Sequence, residues 1–297
     1  KDAWSVAHPH AMLKRCVPRK NTRCRCRFGK FLLLLFSLVF LNIQSLTVET
    51  EEPQDTNNIM SRSGKTYIVT GGASGLGLAT VKMLHEQGAN VSIFDRDADA
   101  GQDLVDELRD RIVFFEVDVT ERSSIASAVD DTVTKFGSLN GIINCAGLGS
   151  ATTTVSRDLK PHNPDIWDFV MKVNTYGTFQ CCAHAASAMA RLPAADDGSR
   201  GIIVNVASVA GIEGQKGQVA YSASKGAVIG MTLPMARDLA RYGIRVMTIA
   251  PGIIDTPLMG MAPEKVGGFF LLSCLQPTTE SFVVIYLQHG NVKCTPL

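Results

Sequence analysis

Between residue 65 and about residue 250, short unbroken apolar runs alternate with helix-length segments of mixed polarity. The runs are TYIVT (66–70), NVSIF (90–94), RIVFFEV (111–117), LNGIIN (139–144), GIIVNVA (201–207) and IRVMTIA (244–250), all short and rich in Val and Ile. Runs of this kind predict strands buried on both faces, as in a parallel sheet. The segments between them predict helices over 75–88, 98–109, 121–136, 165–191 and 219–241, the fourth announced by the cap and first-turn pair Asn163-Pro164. Strict alternation of β and α implies a doubly wound α/β fold with right-handed crossovers. In such a sheet the ligand crevice lies beyond the carboxyl ends of the strands.

The flanks read differently, which divides the chain into residues 1–59, 60–266 and 267–297. Residues 1–30 carry nine Lys or Arg and one acid, followed by FLLLLFSLVFL (31–41) and the polar, acidic TVETEEPQDTNN. The apolar run is short for a membrane-spanning helix unless it extends to Leu46, and it suits a signal-peptide core or signal anchor. The basic head also suits a matrix-targeting segment, so mitochondrial and cytoplasmic locations both stand. A third reading takes Met60, just ahead of the first strand, as the start of the working protein, with 1–59 as upstream sequence. Membrane association is expected only through residues 31–46.

Of 297 residues, 45% are hydrophobic and 19% charged, enough to bury a sizeable core. The net charge of +1 conceals the basic head, and the globular part offers no basic face for nucleic acid. Cys145, Cys181 and Cys182 are the cysteines of the middle region, where they read as small buried residues rather than a disulfide framework. His8, His10, Cys16, Cys24 and Cys26 fit no standard zinc spacing, and no metal site is expected.

The first strand runs into TGGASGLG, with Gly71, Gly75 and Gly77. A glycine-rich turn between strand and helix lets backbone amides approach a pyrophosphate, whose charge the helix N-terminus favours. The second strand ends at Asp95, 18 residues beyond Gly77, where a carboxylate would bind ribose hydroxyls and repel a 2′-phosphate. NAD is therefore expected in preference to NADP, with Arg96 as an opposing charge. In YSASK (221–225), Tyr221 and Lys225 are four apart and share a helix face. Alone, that spacing is equally satisfied by a half-buried ring beside a solvated ammonium.

Taken together, TGGASGLG, NCAG (144–147), VN (173–174), NVAS (205–208), YSASK and APG (250–252) resemble the short-chain dehydrogenase/reductase pattern, in that family's order over 65–257. SVAGIEGQKGQVAYSASKG and the run GMTLPMARDLARYGIRVMTIAPGIIDTPL are most similar to the type 2 3-hydroxyacyl-CoA dehydrogenases, which also oxidise hydroxysteroids. The resemblance implies a single doubly wound parallel sheet (Rossmann fold) and NAD-dependent oxidation of a secondary alcohol. Tyr221 would be the base, its phenolate stabilised by Lys225. Ser208 would hold the substrate oxygen, and Asn174 would anchor a proton-relaying water. The same resemblance assigns cofactor contacts to Gly71, Ser74, Gly75, Leu76, Gly77, Asp95, Asp118, Val119, Cys145, Tyr221, Lys225, Ile254 and Thr256, and a substrate contact to Gln215 beside Ser208 and Tyr221.

After Val266 the resemblance ends, and the family's closing helix and strand have no counterpart in GGFFLLSCLQPTTESFVVIYLQHGNVKCTPL. SFVVIYL (281–287) has strand composition and is the candidate substitute, so the C-terminal edge of the sheet is expected to be incomplete or atypical. Two functions follow: a dehydrogenase of small-molecule substrates, homo-oligomeric if this terminus permits, or a catalytically impaired isoform serving as a nucleotide-binding interaction partner.

Overall fold

The computed structural model describes residues 62–252 and the backbone of Val283–Leu287. Ile254 and Thr256, the segments 1–59 and 267–282, and the apolar run 31–41 lie outside the described residues. The first half consists of β1 (Thr66–Thr70), α1 (Gly75–Glu86), β2 (Asn90–Asp95), α2 (Ala98–Leu108), β3 (Ile112–Glu116), α3 (Arg122–Phe136) and β4 (Gly141–Asn144). The second half consists of α4 (Pro164–Met171), a π-helical turn (Lys172–Gly177), α5 (Thr178–Arg191), β5 (Gly201–Val206), α6 (Val219–Leu239), β6 (Ile244–Ala250) and β7 (Val283–Leu287).

The strands form one sheet in the order β3-β2-β1-β4-β5-β6-β7. The first six are parallel, and β1 and β4 are buried along their whole length, which is why their sequences are apolar without alternation. The order reverses between β1 and β4, so the crevice of the doubly wound sheet opens beside the β1–α1 turn. β7 occupies the position beside β6 that SFVVIYL was expected to fill, but it runs antiparallel, pairing Ala250 with Val283 and Val246 with Leu287. An antiparallel neighbour needs no crossover to the far end of the sheet, a condition that a parallel strand could not escape.

Apolar side chains pack on both faces. One core joins Val81 and Leu84 of α1 and Leu104 of α2 to Val69, Ile93 and Val204 of the sheet. The other joins Ile125 and Val129 of α3, Cys181, Cys182 and Met189 of α5 and Ala236 of α6 to Ile68, Ile142, Ile203 and Val246. Each large aliphatic side chain fully withdrawn from water contributes roughly 1.5–3 kcal/mol.

Most polar groups within these layers are paired, the exceptions at the strands being Asn144 Oδ1 and Asn205 Nδ2. Thr132 of α3 donates to its own helix at Ala128 and shares a hydrogen with Ser92 of β2 at 2.8 Å. Thr232 of α6 does the same with Val228 and, at 2.6 Å, with Thr248 of β6. Asn144 and Asn205 stand side by side in β4 and β5, the Asn144 amide donating to Asn205 Oδ1 at 2.9 Å, with the Cys182 thiol against both.

Helix ends follow the local chemistry. Asn163 caps α4 by accepting from the Asp165 amide at 2.9 Å, with Pro164 in the first turn. Asp97 caps α2 through the Ala100 amide, and α3 ends on Gly137 in the left-handed region. The stretch expected to be one helix over 165–191 is continuous but contains the π turn at Lys172–Gly177, within which Asn174 lies. The Thr178 hydroxyl donates to the Asn174 carbonyl there at 2.8 Å.

Candidate active site

The glycine-rich turn is held against the ends of three strands. Gly71 has φ +64°, its amide donates to the Phe94 carbonyl, and a β-carbon on it would stand 2.8 Å from Ala146. A β-carbon on Gly77 would run into the Gly71 carbonyl, so the first turn of α1 can lie this close to β1 only with glycine there. Gly75 also has positive φ, Ser74 occupies the N-cap of α1 without using its hydroxyl there, and Leu76 packs on the first core. The first-turn amides of α1 are thus not consumed by a side-chain cap, which is what a phosphate-binding turn requires.

Asp95 closes the rim of this turn. Its carboxylate accepts from the Ala73 amide at 3.0 Å and from the Asp97 amide at 3.2 Å. Asp118 follows β3 and accepts from the Thr120 amide, while Val119 is buried, its carbonyl against Gly177 of the π turn. Cys145 follows β4 with its amide on the Thr70 carbonyl, and the Thr70 hydroxyl takes the next amide, that of Ala146. Burial pushes the Cys145 thiol up to about 12, against the opposing charge of Lys225. A neutral thiol of this kind packs and does not attack.

At the far end of β5, Ser208 turns the chain, its hydroxyl accepting from the Ala210 amide at 3.1 Å. The same side chain lies near the Tyr221 phenol. Burial raises the Tyr221 phenol, and the neighbouring Ser208 hydroxyl works in the opposite direction. Lys225, one turn along α6, holds its Nζ 5.9 Å from the centre of the Tyr221 ring and donates to the Val206 carbonyl at 2.8 Å. Burial lowers the Lys225 ammonium to about 8. The expected quartet therefore lies in one place, because Asn174 approaches the same ammonium across Gly147. A β-carbon on Gly147 would be 3.1 Å from Asn174 Oδ1 and 3.4 Å from Lys225 Nζ.

Gln215 stands apart. It is exposed on the loop before α6, its amide on Gln218 Oε1, in an open groove of about 490 Å³. Thr152–Val155, Lys216 and Ser222 line that groove, whereas Tyr221 and Ser208 do not. Several partners are absent from the sequence expectations. The Leu148 amide and carbonyl both bind Asn174, the Val206 carbonyl receives Lys225, and Ser224 lies between Asn174 and Tyr221. Backbone carbonyls carry no sequence signal, but Ser224 stands inside YSASK, three residues after Tyr221, where a hydroxyl can bond back to its own helix. Among the described residues, no group of three or more His, Cys, Asp or Glu could hold a metal ion, and no helix is long and apolar enough to cross a membrane.

A family model described as short chain dehydrogenase matches residues 65–266. The 3-hydroxyacyl-CoA dehydrogenase type-2 of Drosophila melanogaster is 46% identical over 207 residues, covering 69% of this chain and 81% of that protein. Among solved structures, the 3-hydroxyacyl-CoA dehydrogenase type-2 of Mycobacterium avium superposes with a TM-score of 0.65 at 40% identity, covering 69% of this chain and 80% of that one. An NAD+-bound xylitol dehydrogenase superposes with a TM-score of 0.58 at 32% identity, covering 64% and 71%.

Proposed function

Because this chain belongs to the short chain dehydrogenase family, and is an oxidoreductase similar to 3-hydroxyacyl-CoA dehydrogenase type-2, we propose that it oxidises the secondary alcohol of a 3-hydroxyacyl thioester with NAD. The observation that carries this reading is the convergence of Lys225 on Tyr221 and on the strand leading to Ser208: its Nζ stands 5.9 Å from the Tyr221 ring and donates to the Val206 carbonyl at 2.8 Å.

NAD is held by the Gly71–Gly77 turn at its pyrophosphate, by Asp95 at the adenosine ribose, and by Asp118, Val119 and Cys145 along the strand ends. The uncapped first turn of α1 and the close approach at Gly71 and Gly77 support that fit, as does the NAD-bound relative. Asp95 favours NAD over NADP. When bound, the cofactor supplies the hydride acceptor and a positive charge.

The residues of the chain manage the proton. Ser208 holds the alcohol oxygen beside the phenol. Tyr221 takes the hydroxyl proton, a task for which a buried neutral phenol is poorly suited unless a cation favours its ionised form. Lys225 is that cation: with its ammonium near 8, about nine tenths of it is charged at neutral pH. Asn174, across Gly147 from Lys225, marks the route by which the proton leaves. The exposed Trp167, Phe169, Tyr176 and Phe179 along 164–191 support a homo-oligomer of this chain.

Purified full chain is expected to form NADH from NAD and a short 3-hydroxyacyl-CoA. Tyr221→Phe is expected to lower kcat roughly a thousandfold while leaving the Kd for NADH unchanged. Absence of NADH formation by the wild type with 3-hydroxyacyl-CoA and hydroxysteroid alike, or full turnover by Tyr221→Phe, overturns the reading.

A further inference from the structure

We infer that Ser224 is a positioning residue, whose hydroxyl, together with the Leu148 backbone, fixes which end of the Asn174 carboxamide faces Lys225. The inference rests on the proposed roles of Tyr221, Lys225 and Asn174 and extends them to a side chain with no assigned role.

Ser224 is fully buried on α6, and its single hydroxyl proton is committed to the Tyr221 carbonyl at 2.7 Å. What it offers a neighbour is therefore a lone pair. Asn174, equally buried in the π turn, meets that lone pair with its Nδ2 at 3.0 Å. The other Nδ2 proton goes to the Leu148 carbonyl at 2.9 Å, and Oδ1 accepts from the Leu148 amide at 2.8 Å. Both amide protons are spent, and the oxygen is left on the side where Gly147 separates it from the Lys225 ammonium.

The direction of the Ser224 hydroxyl matters because a hydroxyl can act either way. Were its proton free, Ser224 could donate to Asn174 Oδ1 and hold the amide reversed, with a positive –NH2 end toward Lys225. The bond to Tyr221 removes that option at the one neighbour able to act either way, and the Leu148 amide and carbonyl favour the same orientation. Thr175 makes the grip two-handed: its hydroxyl donates to the Ser224 carbonyl at 3.3 Å, so consecutive residues of the π turn hold one residue of α6. A π turn moves the residues after it out of α-helical phase, and here Asn174 and Thr175, both within it, hydrogen-bond to α6. Ser224 is thereby the point at which the helix carrying Tyr221 and Lys225 is indexed to the turn carrying Asn174.

Ser224→Ala removes the acceptor, leaves one buried Asn174 proton without a partner and loosens the amide, which the Leu148 backbone alone then holds. The expected kinetic result is a kcat lowered about tenfold with KM for NAD nearly unchanged, since the Gly71–Gly77 turn is untouched. Ser224→Thr, which restores the hydroxyl, is expected to recover most of the loss. Ser224→Ala combined with Asn174→Ala is expected to be no slower than Asn174→Ala alone, because the effect of Ser224 passes through Asn174. In asparagine-labelled full chain, the Asn174 side-chain amide protons are expected to exchange slowly in the wild type, one of them at least tenfold faster in Ser224→Ala.

Independent, additive effects of the two substitutions on kcat overturn the inference. So do Asn174 amide signals unaltered by Ser224→Ala. If the wild type itself forms no NADH, the functional reading falls, and the amide exchange still decides whether Ser224 positions Asn174.

Discussion

Lys225 places its ammonium on the carbonyl of Val206, 2.8 Å away, at the end of the strand that leads to Ser208. One backbone oxygen is modest compensation for a cation withdrawn from water, and burial accordingly brings the group from its ordinary value of 10.5 to about 8. Below pH 8 the lysine is charged in both folded and unfolded chains, and the full cost of burying it, about 3 kcal/mol, is present. Between pH 8 and 10.5 the folded chain gives up the proton while the unfolded chain keeps it, so stability contributed at this site rises with pH. Measured by urea unfolding, wild type is expected to gain about 3 kcal/mol relative to Lys225→Met between pH 7.5 and 10.5. A constant difference across that window would mean that the ammonium is solvated.

Asp95 has two duties, one to the fold and one to the proposed cofactor. Its carboxylate ties the Ala73 and Asp97 amides together at the rim of the β1–α1 turn. Asp95→Ala is expected to cost about 1–3 kcal/mol of stability through those two amides. It is also expected to weaken NAD at least tenfold while weakening NADP less, because the repulsion of a 2′-phosphate goes with the carboxylate. Titration of both nucleotides against the variant separates the two effects.

The contact between α1 and β1 admits no β-carbon at residue 77. Gly77→Ala would have to push the first turn of α1 off the Gly71 carbonyl, a backbone atom that cannot swing aside. The expected loss is about 1–3 kcal/mol, with NAD binding weakened more than stability predicts. Calorimetric melting beside NAD titration tests it.

The three described thiols are expected to resist alkylation. Burial raises Cys145 and Cys182 to about 12 and Cys181 higher still, so thiolate is scarce at each. In native protein at pH 8, peptide mass spectrometry after iodoacetamide is expected to find these three unmodified, and all three modified in urea. Prompt labelling of Cys145 in native protein would contradict the picture of a packed thiol.

Much of this architecture was legible because its signals are local and chemical. The runs at 66–70 and 201–207 announce strands because residues buried on two faces have no reason to alternate. Gly77 announces the tight strand-to-helix turn, and Asp95 its rim, because a close approach of helix to strand needs glycine there. Resemblance, rather than physics, supplied Asn174 and Ser208, which are unremarkable polar residues until the fold sets Ser208 near Tyr221 and Asn174 across Gly147 from Lys225. The remainder depended on partners far along the chain. The π turn relies on the Thr178 hydroxyl and on the fit of Gly177 against Val119, neither of which leaves a periodic trace. The acceptor for Lys225 is a backbone carbonyl, invisible by type. SFVVIYL has strand composition in either direction, so only the register Ala250–Val283 to Val246–Leu287 reveals its antiparallel sense.

The paired amides of Asn144 and Asn205 have a consequence for how the central sheet finds its alignment. Next to them lie Ile142 and Ile143 on one strand and Ile203 and Val204 on the other, side chains so alike that an offset pairing would pack nearly as well. An offset would, however, turn one amide toward the opposite layer and break the bond from Asn144 Nδ2 to Asn205 Oδ1, at roughly 1–3 kcal/mol for each group newly left unpaired. The pair thus acts as a registration mark: it adds little to the depth of the native well and much to its uniqueness, and it does so immediately before Cys145 and three residues before Ser208.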